Sequence, residues 1–324
     1  MRHGRTLLAV ATSAALTHAV CDKALAQTTD YPNRKITMVV GFAPGGGVDV
    51  LARVVAQELT DSAGHQIVVE NRPGAGSNIA ARAVAGAAPD GYTVLFTGNS
   101  HAINQTIYKN AGYATGDLRP IAIAAMDSQA LAVNAGNPAR AMSAFLDTAK
   151  TKPPSFGFGG SSSRIIADYV LRVLAKTQAV PVPFQSGAPA INALLGNHVD
   201  IISAPIAELV PHIQQNSLRA LAVTGSKRSH ALPDVPMLNE AGFPPGLGIH
   251  GWIGILAPAK VPEEIALKLN AAVNAAVAKP GVNARLRQLG YDPNQMTLAD
   301  AGPFFKNSVE TWRGMILATG FTAE

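Results

Sequence analysis

The stretch VVGFAPGGGVDVLAR (residues 39–53) joins an apolar strand pattern to a helical pattern through Gly45, Gly46 and Gly47. A glycine-rich turn between a strand and a helix lets backbone N–H groups approach an anion, and the N-terminus of the helix favours negative charge. Three interpretations are open: a nucleotide phosphate site, a site for a ligand carboxylate, and a tight turn without a ligand. The rest of the chain must decide among them.

The composition indicates an exported globular protein. The chain has 324 residues, 48% of them hydrophobic, which is enough for two domains with cores of ordinary size. An apolar run over residues 7–20 follows a basic start, and Ala24 and Ala26 stand where a signal peptidase reads small residues. The run is too short for a permanent membrane helix. The sequence therefore predicts a signal peptide over residues 1–26 and an exported protein.

Charge and cysteine content exclude several classes of function. Cys21 is the single cysteine and lies within the predicted signal peptide, so the mature chain would have no disulfides, thiol catalysis or thiolate metal sites. Removal of three basic residues and one acidic residue with that peptide lowers the net charge from +5 to about +3, which suits a small anionic ligand. Only 6% of the residues are aromatic, and no basic and aromatic side chains interleave, so no nucleic-acid partner is expected. The eight histidines lack metal-ligand spacing, and we expect neither a metal nor a cofactor.

Strand patterns alternate with amphipathic helical patterns along the mature chain, which indicates an α/β protein with mostly parallel sheets. A late strand at residues 252–256 needs a sheet to enter, so the ends of the chain are expected to join. The prediction is two lobes, with residues 27–128 and 225–324 in lobe 1 and residues 129–224 in lobe 2. Ligands of such lobes bind where strand carboxyl ends meet helix N-termini, so we expect a site in the cleft between them.

The glycine turn departs from the nucleotide-binding fingerprints. Gly45 and Gly47 match the first two glycines of G-x-G-x-x-G, but Val50 replaces the third. Asp49 would also place a negative charge where the pyrophosphate lies. No Gly-Lys-Ser or Gly-Lys-Thr follows, so the pattern of a P-loop is not met either.

A second turn of the same kind is NRPGAGSN (residues 71–78), in which Ser77 or Asn78 suits a helix cap. Two helix N-termini at one sheet edge offer free N–H donors and partial positive charge. Together the two turns are able to bind a carboxylate without an arginine.

The segment TGNSHA (residues 97–102) resembles the G-x-S-x-G elbow of α/β-hydrolases, with Ser100 as the nucleophile. Ala102 stands where the second glycine belongs, and no downstream Asp and His pair is evident. We interpret Ser100, with Asn99 beside it, as a polar group at the edge of the cleft. An exported serine hydrolase remains the alternative from another class.

Taken together, the motifs resemble a known family, the tripartite tricarboxylate transporter solute receptors, also called Bug proteins. The resemblance implies a periplasmic-binding-protein fold with two lobes and a hinge of crossing strands. It also implies a periplasmic receptor without enzymatic activity that captures a carboxylated solute and delivers it to a membrane permease. The segments that carry it are YPNRKITMVVGFAPGGGVDVLARVVAQEL (31–59), VVENRPGAGSNIAA (68–81), APDGYTVLF (88–96), PFQSGAPAINALLGNHVDIIS (183–203), LRALAVTGSKRSHALPDVPMLNEAGF (218–243) and GWIGILAPAKVPEEIALKLNAAV (251–273).

The same resemblance places ligand-binding loops on both lobes. Arg164 falls where the family often has a histidine, so it is a candidate partner for a second ligand carboxylate, with a solvated or interlobe salt bridge as the other interpretation. Asp49 is a candidate for recognising a ligand ammonium or hydroxyl. The predicted binding residues are Phe42, Pro44, Gly45, Gly46, Asp49, Ser77, Asn78, Asn99 and Ser100 in lobe 1, and Ser162, Ser163, Arg164, Phe184, Ser186, Ala188, Asp200 and Ser203 in lobe 2.

The sequence thus predicts a monomeric, exported solute receptor whose lobes close on a small carboxylate. A sensor of the same fold, which presents its liganded form to a signalling partner, is a second alternative. If the glycine turn holds the carboxylate, Gly46→Val is expected to remove binding and leave the fold intact.

Overall fold

The computed structural model describes residues 31–64, 66–245, 247 and 249–322. The predicted signal peptide lies outside the described residues. None of the helices in the described part of the chain has the length and apolar character needed to cross a membrane.

Strands of the described residues form two sheets. The strands are β1 (Ile36–Val40), β2 (Ile67–Asn71), β3 (Thr93–Gly98), β4 (Leu118–Asp127), β5 (Gln129–Asn134), β6 (Ser155–Phe158), β7 (Val180–Pro183), β8 (Ile201–Pro205), β9 (Leu218–Val223), β10 (Gly251–Pro258) and β11 (Asp292–Pro293). The first sheet has the order β11-β4-β10-β3-β1-β2, and the second has the order β7-β6-β8-β5-β9.

Helices flank both sheets. They are α1 (Gly47–Ala63), α2 (Asn78–Ala85), α3 (Ser100–Ile107), α4 (Met142–Ala149), α5 (Ser161–Ala167), α6 (Gly187–Leu195), α7 (Ile206–Gln214), α8 (Glu263–Ala278), α9 (Pro280–Gln288) and α10 (Leu298–Thr319). A 3-10 turn at Ala75–Ser77 precedes α2, and α5 continues without a break into a π-helix at Asp168–Leu174.

The predicted two-lobed α/β fold is confirmed, but both sheets are mixed and not mostly parallel as expected. In the first sheet, β1 is parallel to β2 and β3, whereas β10 is antiparallel to β3 and β4. In the second sheet, β6 is parallel to β7 and β8, whereas β5 is antiparallel to β8 and β9. Two adjacent parallel strands must be joined by a crossover, usually a helix, that returns the chain to the edge of the sheet where the first strand began. β5 and β10 enter their sheets from the other lobe without such a crossover, and each runs antiparallel to both of its neighbours.

Strand β4 is absent from the sequence-based expectations. Its sequence LRPIAIAAMD contains a proline and four residues of low or moderate strand propensity, so the local signal is weak. It nevertheless runs for ten residues between β10 and β11. Pairing with β10 along its length outweighs the local propensity.

Helix α1 shows why the glycine turn lies at a sheet edge. Leu51, Val55 and Leu59 recur every four residues and are buried against the first sheet, where Met38 lies on β1. Gly64 ends the helix in the left-handed conformation, with φ of 69°. The N-terminus of α1 is thereby held just beyond the carboxyl end of β1.

Two crossing segments connect the sheets side by side. One runs from β4 through Ser128 into β5, and the other leaves β9 at Thr224 on its way to β10. The Thr224 amide donates to the Gln129 carbonyl (2.9 Å), and the Gln129 amide donates to Thr224 Oγ1 (3.1 Å). These hydrogen bonds fix the two crossings to each other where the lobes meet.

The predicted lobe boundaries remain a prediction, and packing shows that two late segments contact the second sheet. Met237, in the connector between β9 and β10, pairs with Val223. Trp312 and Ile316 of α10 lie in the same buried cluster as Phe156 of β6. Sheet membership alone therefore does not assign residues 225–324 to one lobe.

Candidate functional site

A cavity of about 320 Å³ lies where loops from the two sheets face each other. Its volume is at the low end of the range of ligand pockets, about 300–1,000 Å³, so it suits a small molecule. The lining residues are Phe42, Val48, Gly76, Gly98, Asn99, Ser100, Ile103, Asn104, Asp127, Gly160, Ser161, Ser162 and Ile253. The structure thus brings together the three predicted loops of lobe 1 and the GGSSSR loop (residues 159–164) of lobe 2.

Asp49 closes the first glycine turn from inside. Its side chain is only 2% exposed and accepts hydrogen bonds from Gly45 N (2.8 Å), Arg53 Nε (3.0 Å) and Asn71 Nδ2 (2.8 Å). Burial acts against the charge, but these donors outweigh it and hold the pKa of the carboxyl below its ordinary value. We therefore assign Asp49 to the support of the turn, in place of the predicted contact with a ligand ammonium or hydroxyl.

The three glycines of this turn differ in whether the protein has room for a side chain at their positions. Gly45 has a left-handed φ of 82°, and a Cβ on Gly47 would lie 2.2 Å from Tyr291 Oη. Gly46 has extended backbone, and the nearest protein atom to a Cβ there is Ala43 O at 3.4 Å. The protein itself leaves room for a side chain at Gly46, so the loss of binding predicted for Gly46→Val depends on the ligand. Pro44 is exposed and does not line the cavity.

Three hydroxyl groups meet at the carboxyl end of β3. Thr97 Oγ1 lies 3.4 Å from Ser77 Oγ and 3.3 Å from Ser100 Oγ. Thr97 is fully buried and was not among the predicted site residues, although it is the first residue of the TGNSHA segment. Ser77 has φ of 82° and does not cap α2. The cluster orients Ser100 toward the cavity edge by hydrogen bonding.

Asn78 is buried and is held by two donors. Its Oδ1 accepts from Asn104 Nδ2 (2.8 Å) and from Tyr113 Oη (3.2 Å). Asn104 Nδ2 also donates to the Gly76 carbonyl (2.7 Å). Asn78 therefore ties the second glycine turn to α3, and it is Asn104, not predicted from the sequence, that lines the cavity.

His101 is directed away from Ser100. Since Tyr113 gives its single hydroxyl proton to Asn78, the His101 Nδ1, 3.0 Å from Tyr113 Oη, carries the ring proton. Nε2 is buried and has no hydrogen-bond partner among the described residues. Burial lowers the pKa of His101 to about 4, so the ring is neutral. The contacts of Ser100 and His101 therefore do not support the arrangement that a serine hydrolase needs.

The His101 ring predicts a specific pH dependence of stability. The unfolded chain binds this proton near pH 6.5 and the folded chain only near pH 4, so stability is lost as the pH falls through that window. Between pH 7.5 and pH 5 the contribution is about 2 kcal/mol. We expect urea unfolding to show this loss in the wild type and a loss smaller by that amount in His101→Asn. Equal losses in both proteins would contradict the assignment.

Gln129 organises the lobe 2 side of the site. Its Oε1 accepts from Ser203 Oγ (2.7 Å), and its Nε2 donates to Ser162 Oγ (3.2 Å). Ser203 and Ser163 are buried, whereas Ser162 lines the cavity. Gln129 was not predicted, and its only sequence signal is a polar residue at the start of an apolar strand.

Arg164 forms a largely buried salt bridge with a residue four positions further along the same helix, and not the solvated or interlobe salt bridge that was the second interpretation. Its Nε contacts Asp168 Oδ2, and Arg172 Nη1 lies 3.1 Å from Asp168 Oδ1. The guanidinium carbon is 5.5 Å from the ring centre of Phe156 and 5.1 Å from that of Phe158. Arg164 does not line the cavity.

Asp200 lies at the opposite end of its strand from the cavity, so the prediction that it belongs to the cleft is wrong. It precedes β8, and its Oδ2 accepts from the amide and the hydroxyl of Ser155, both at 2.8 Å. Ser155 begins β6, which is parallel to β8, so both residues mark the amino edge of the sheet. A polar residue near a strand does not by itself reveal which end of the strand it occupies.

Three further predicted residues do not line the cavity. Ser186 and Ala188 are exposed at the start of α6, and Phe184 packs partly against the core of the second sheet. The Phe184 amide donates to the Phe158 carbonyl (3.0 Å), which keeps this loop next to the GGSSSR loop.

Asp127 is the main site residue that the sequence analysis missed. It ends β4, at the crossing between the lobes, and lines the cavity. Burial, and then the charge of Glu208 on α7, raise its pKa to about 7. The polar run Asp127-Ser128-Gln129 between two apolar runs was the available signal. Groups of His, Cys, Asp or Glu that suit a metal ion are absent from the described residues.

Comparison with known proteins identifies relatives along most of the chain. The family model of the tripartite tricarboxylate transporter family receptor matches residues 51–321. A protein of Pseudomonas sp. (strain P51), described as a UPF0065 protein in the tcbD-tcbE intergenic region, is 32% identical over 291 residues. The alignment covers 89% of this chain and 87% of that protein.

Solved structures of the same fold are also similar. One is R. palustris Rpa4515 with adipate, with a TM-score of 0.79 and 28% identity, covering 90% of this chain and 99% of that one. Another is MatC (Rpa3494) from Rhodopseudomonas palustris with bound malate, with a TM-score of 0.74 and 30% identity, covering 88% and 100%. The resemblance stated from the motifs is confirmed. The chain belongs to the tripartite tricarboxylate transporter receptor family, whose members are periplasmic solute-binding proteins.

Proposed function

We propose that the protein captures a small carboxylate in the cavity between its lobes and delivers it to a membrane permease of the tripartite tricarboxylate type. The observation that carries the proposal is the cavity of about 320 Å³ lined by polar groups of both lobes. The adipate and malate in the two similar structures support a carboxylate as the ligand class.

Helix starts supply the donors for the carboxylate. Val48 in the first turn of α1, Ser100 at the start of α3 and Ser162 at the start of α5 all line the cavity. N–H groups in a first helical turn have no partner within their helix, and the helix end carries partial positive charge. The hydroxyls of Ser100 and Ser162, each held by a neighbour, add oriented donors. This arrangement binds an anion without a cationic side chain.

Ligand binding also couples to the relative position of the lobes. A ligand that contacts Ser100 and Ser162 together interacts with both lobes, and it therefore stabilises the closed arrangement over an open one. The two hydrogen-bonded crossings at Gln129 and Thr224 provide the hinge. We propose that the permease recognises a monomer in this closed form. In the alternative, a signalling partner recognises the same surface in place of the permease.

A thermal-shift screen of small carboxylates tests the proposal. The purified protein is scanned with mono-, di- and tricarboxylates, including adipate and malate, and at least one acid is expected to raise the melting temperature. A ligand at one hundred times its dissociation constant stabilises the folded state by about 2.7 kcal/mol. The dimethyl ester of the best diacid is the matched control and is expected to produce no shift.

Two outcomes would contradict the receptor function. One is that no carboxylate in the screen raises the melting temperature at millimolar concentration. The other is turnover of carboxylic esters that is abolished by Ser100→Ala, which would favour the hydrolase alternative.

A further inference from the structure

The cavity has an acidic side chain in its wall, which is unexpected for a site that binds an anion. Among the described residues that line it, Asp127 alone carries a charged side chain. The remaining lining groups are apolar side chains, glycines, hydroxyls and amides. A ligand that presented a second anion to this wall would meet a carboxylate and no cation.

The nearby arginines are already paired with other carboxylates. Arg53 donates to Asp49 and to Asn71 Oδ1 (2.9 Å), and Arg164 is paired with Asp168. Turning either guanidinium toward the ligand would remove one of the partners of a carboxylate that is 1–2% exposed. Neutralisation of a distal ligand anion by these side chains is therefore unfavourable.

The Asp127 carboxylate has acceptor capacity to spare. No hydrogen bond to it is formed by the described residues, whereas Asp49 and Asp168 each have donors. The ionisable groups that act on it are Glu208, which adds negative charge, and Tyr291, whose raised pKa keeps its hydroxyl neutral. A donor on the ligand would satisfy the carboxylate and offset the local negative charge.

We infer that the receptor is selective for small carboxylates that also carry an ammonium group, with Asp127 as the residue that accepts it. The carboxylate of the ligand lies at the helix starts, and its ammonium group faces the end of β4. This inference rests on the proposed function, because it assigns the second half of the same cavity. It makes Asp127 a specificity-determining residue and Asp49 a support of the turn.

Calorimetry on the wild-type protein with matched pairs of acids tests the inference. The pairs are L-aspartate and succinate, L-glutamate and glutarate, and 4-aminobutyrate and butyrate, so that each pair differs by one ammonium group. At pH 8 the carboxyl of Asp127 is mostly ionised and the amines are protonated. We expect the tightest of the six probes to carry the ammonium group and to bind at least tenfold more tightly than its partner. Any other ranking would overturn the inference.

The variant Asp127→Asn then assigns the selectivity to one side chain. Hydrogen bonds to charged groups are worth a factor on the order of 10 to 100 in affinity, so the ratio within the best pair is expected to fall by that amount. Asp147→Asn removes the same charge from an exposed site and is expected to keep the wild-type ratio. Circular dichroism checks that both variants are folded, and an unchanged ratio in folded Asp127→Asn would overturn the role of Asp127.

The failures of the two proposals are distinguishable. If plain acids bind and the ammonium-bearing acids do not bind more tightly, the inference fails and the receptor function stands. If neither these six probes nor the acids of the thermal screen bind, both proposals fail. If Asp127→Asn does not fold, the ranking of the wild-type pairs still decides for or against the inference.

Discussion

Replacement of Trp252 by alanine is expected to lower the free energy of unfolding by about 3–5 kcal/mol, as measured by urea unfolding. Trp252 is fully buried on β10, and its ring lies edge-on to Phe305 with centroids 5.7 Å apart. Its Nε1 donates to Ser308 Oγ at 2.9 Å. The substitution leaves a cavity between the first sheet and α10, and it also removes the donor of a buried hydroxyl.

Two milder variants separate these contributions. Ser308→Ala removes the hydrogen bond and little volume, so a loss of about 1 kcal/mol is expected. Trp252→Phe keeps an aromatic ring beside Phe305, and its loss is expected to lie between those of Ser308→Ala and Trp252→Ala. A loss in Trp252→Ala no larger than that in Ser308→Ala would show that packing on β10 contributes little.

Asp49→Asn is expected to lower the free energy of unfolding by about 3 kcal/mol. It is also expected to weaken the binding of all carboxylate ligands, each by about the same factor. The buried carboxylate accepts three hydrogen bonds, and an amide in its place presents a donor to other donors. The turn at Gly45 and the N-terminus of α1 then lose their fixed position. Since the pKa of Asp49 is lowered in the folded state, the advantage of the wild type is expected above pH 4 and disappears in stronger acid.

The control for Asp49→Asn is Asp61→Asn on the same helix. Asp61 is exposed and accepts from Gln57 Nε2, so its replacement is expected to change stability by less than about 0.5 kcal/mol. Calorimetry with the matched acids distinguishes support from ligand contact. A change in selectivity between ammonium-bearing and plain acids in Asp49→Asn would contradict the supporting role and favour a direct contact.

Much of the fold was predictable because its signals are local. The apolar strand patterns, the four-residue recurrence of Leu51, Val55 and Leu59, and the glycine turns before α1 and α2 all follow from propensity and periodicity. Strand β4 was not predictable in this way, because its alanines and proline give a weak strand signal and its pairing with β10 spans more than a hundred residues of chain.

The candidate site also has features that could be predicted from the sequence and features that could not. The loops around Gly76, Asn99, Ser100 and Ser162 were predicted from turn chemistry and from the family resemblance, and the structure brings them to one cavity. The partners of the charged residues were not predicted. Whether Asp49 and Asp200 face a ligand or another side chain depends on Asn71 and Ser155, which arrive from distant parts of the chain. Arg164, in contrast, is paired with Asp168 four residues further along the same helix.

The glycine turn illustrates the difference between what could be predicted from the sequence and what depended on the tertiary structure. From the chain's own residues, the three glycines between a strand and a helix were predicted to serve a carboxylate site of an exported receptor and not a nucleotide site. That Asn71 of β2 donates to Asp49, and that Asp127 on a strand of the hinge supplies the charge of the cavity, depended on the packed fold. Backbone conformation is set by neighbours in sequence, whereas burial and hydrogen-bond partners are set by neighbours in space.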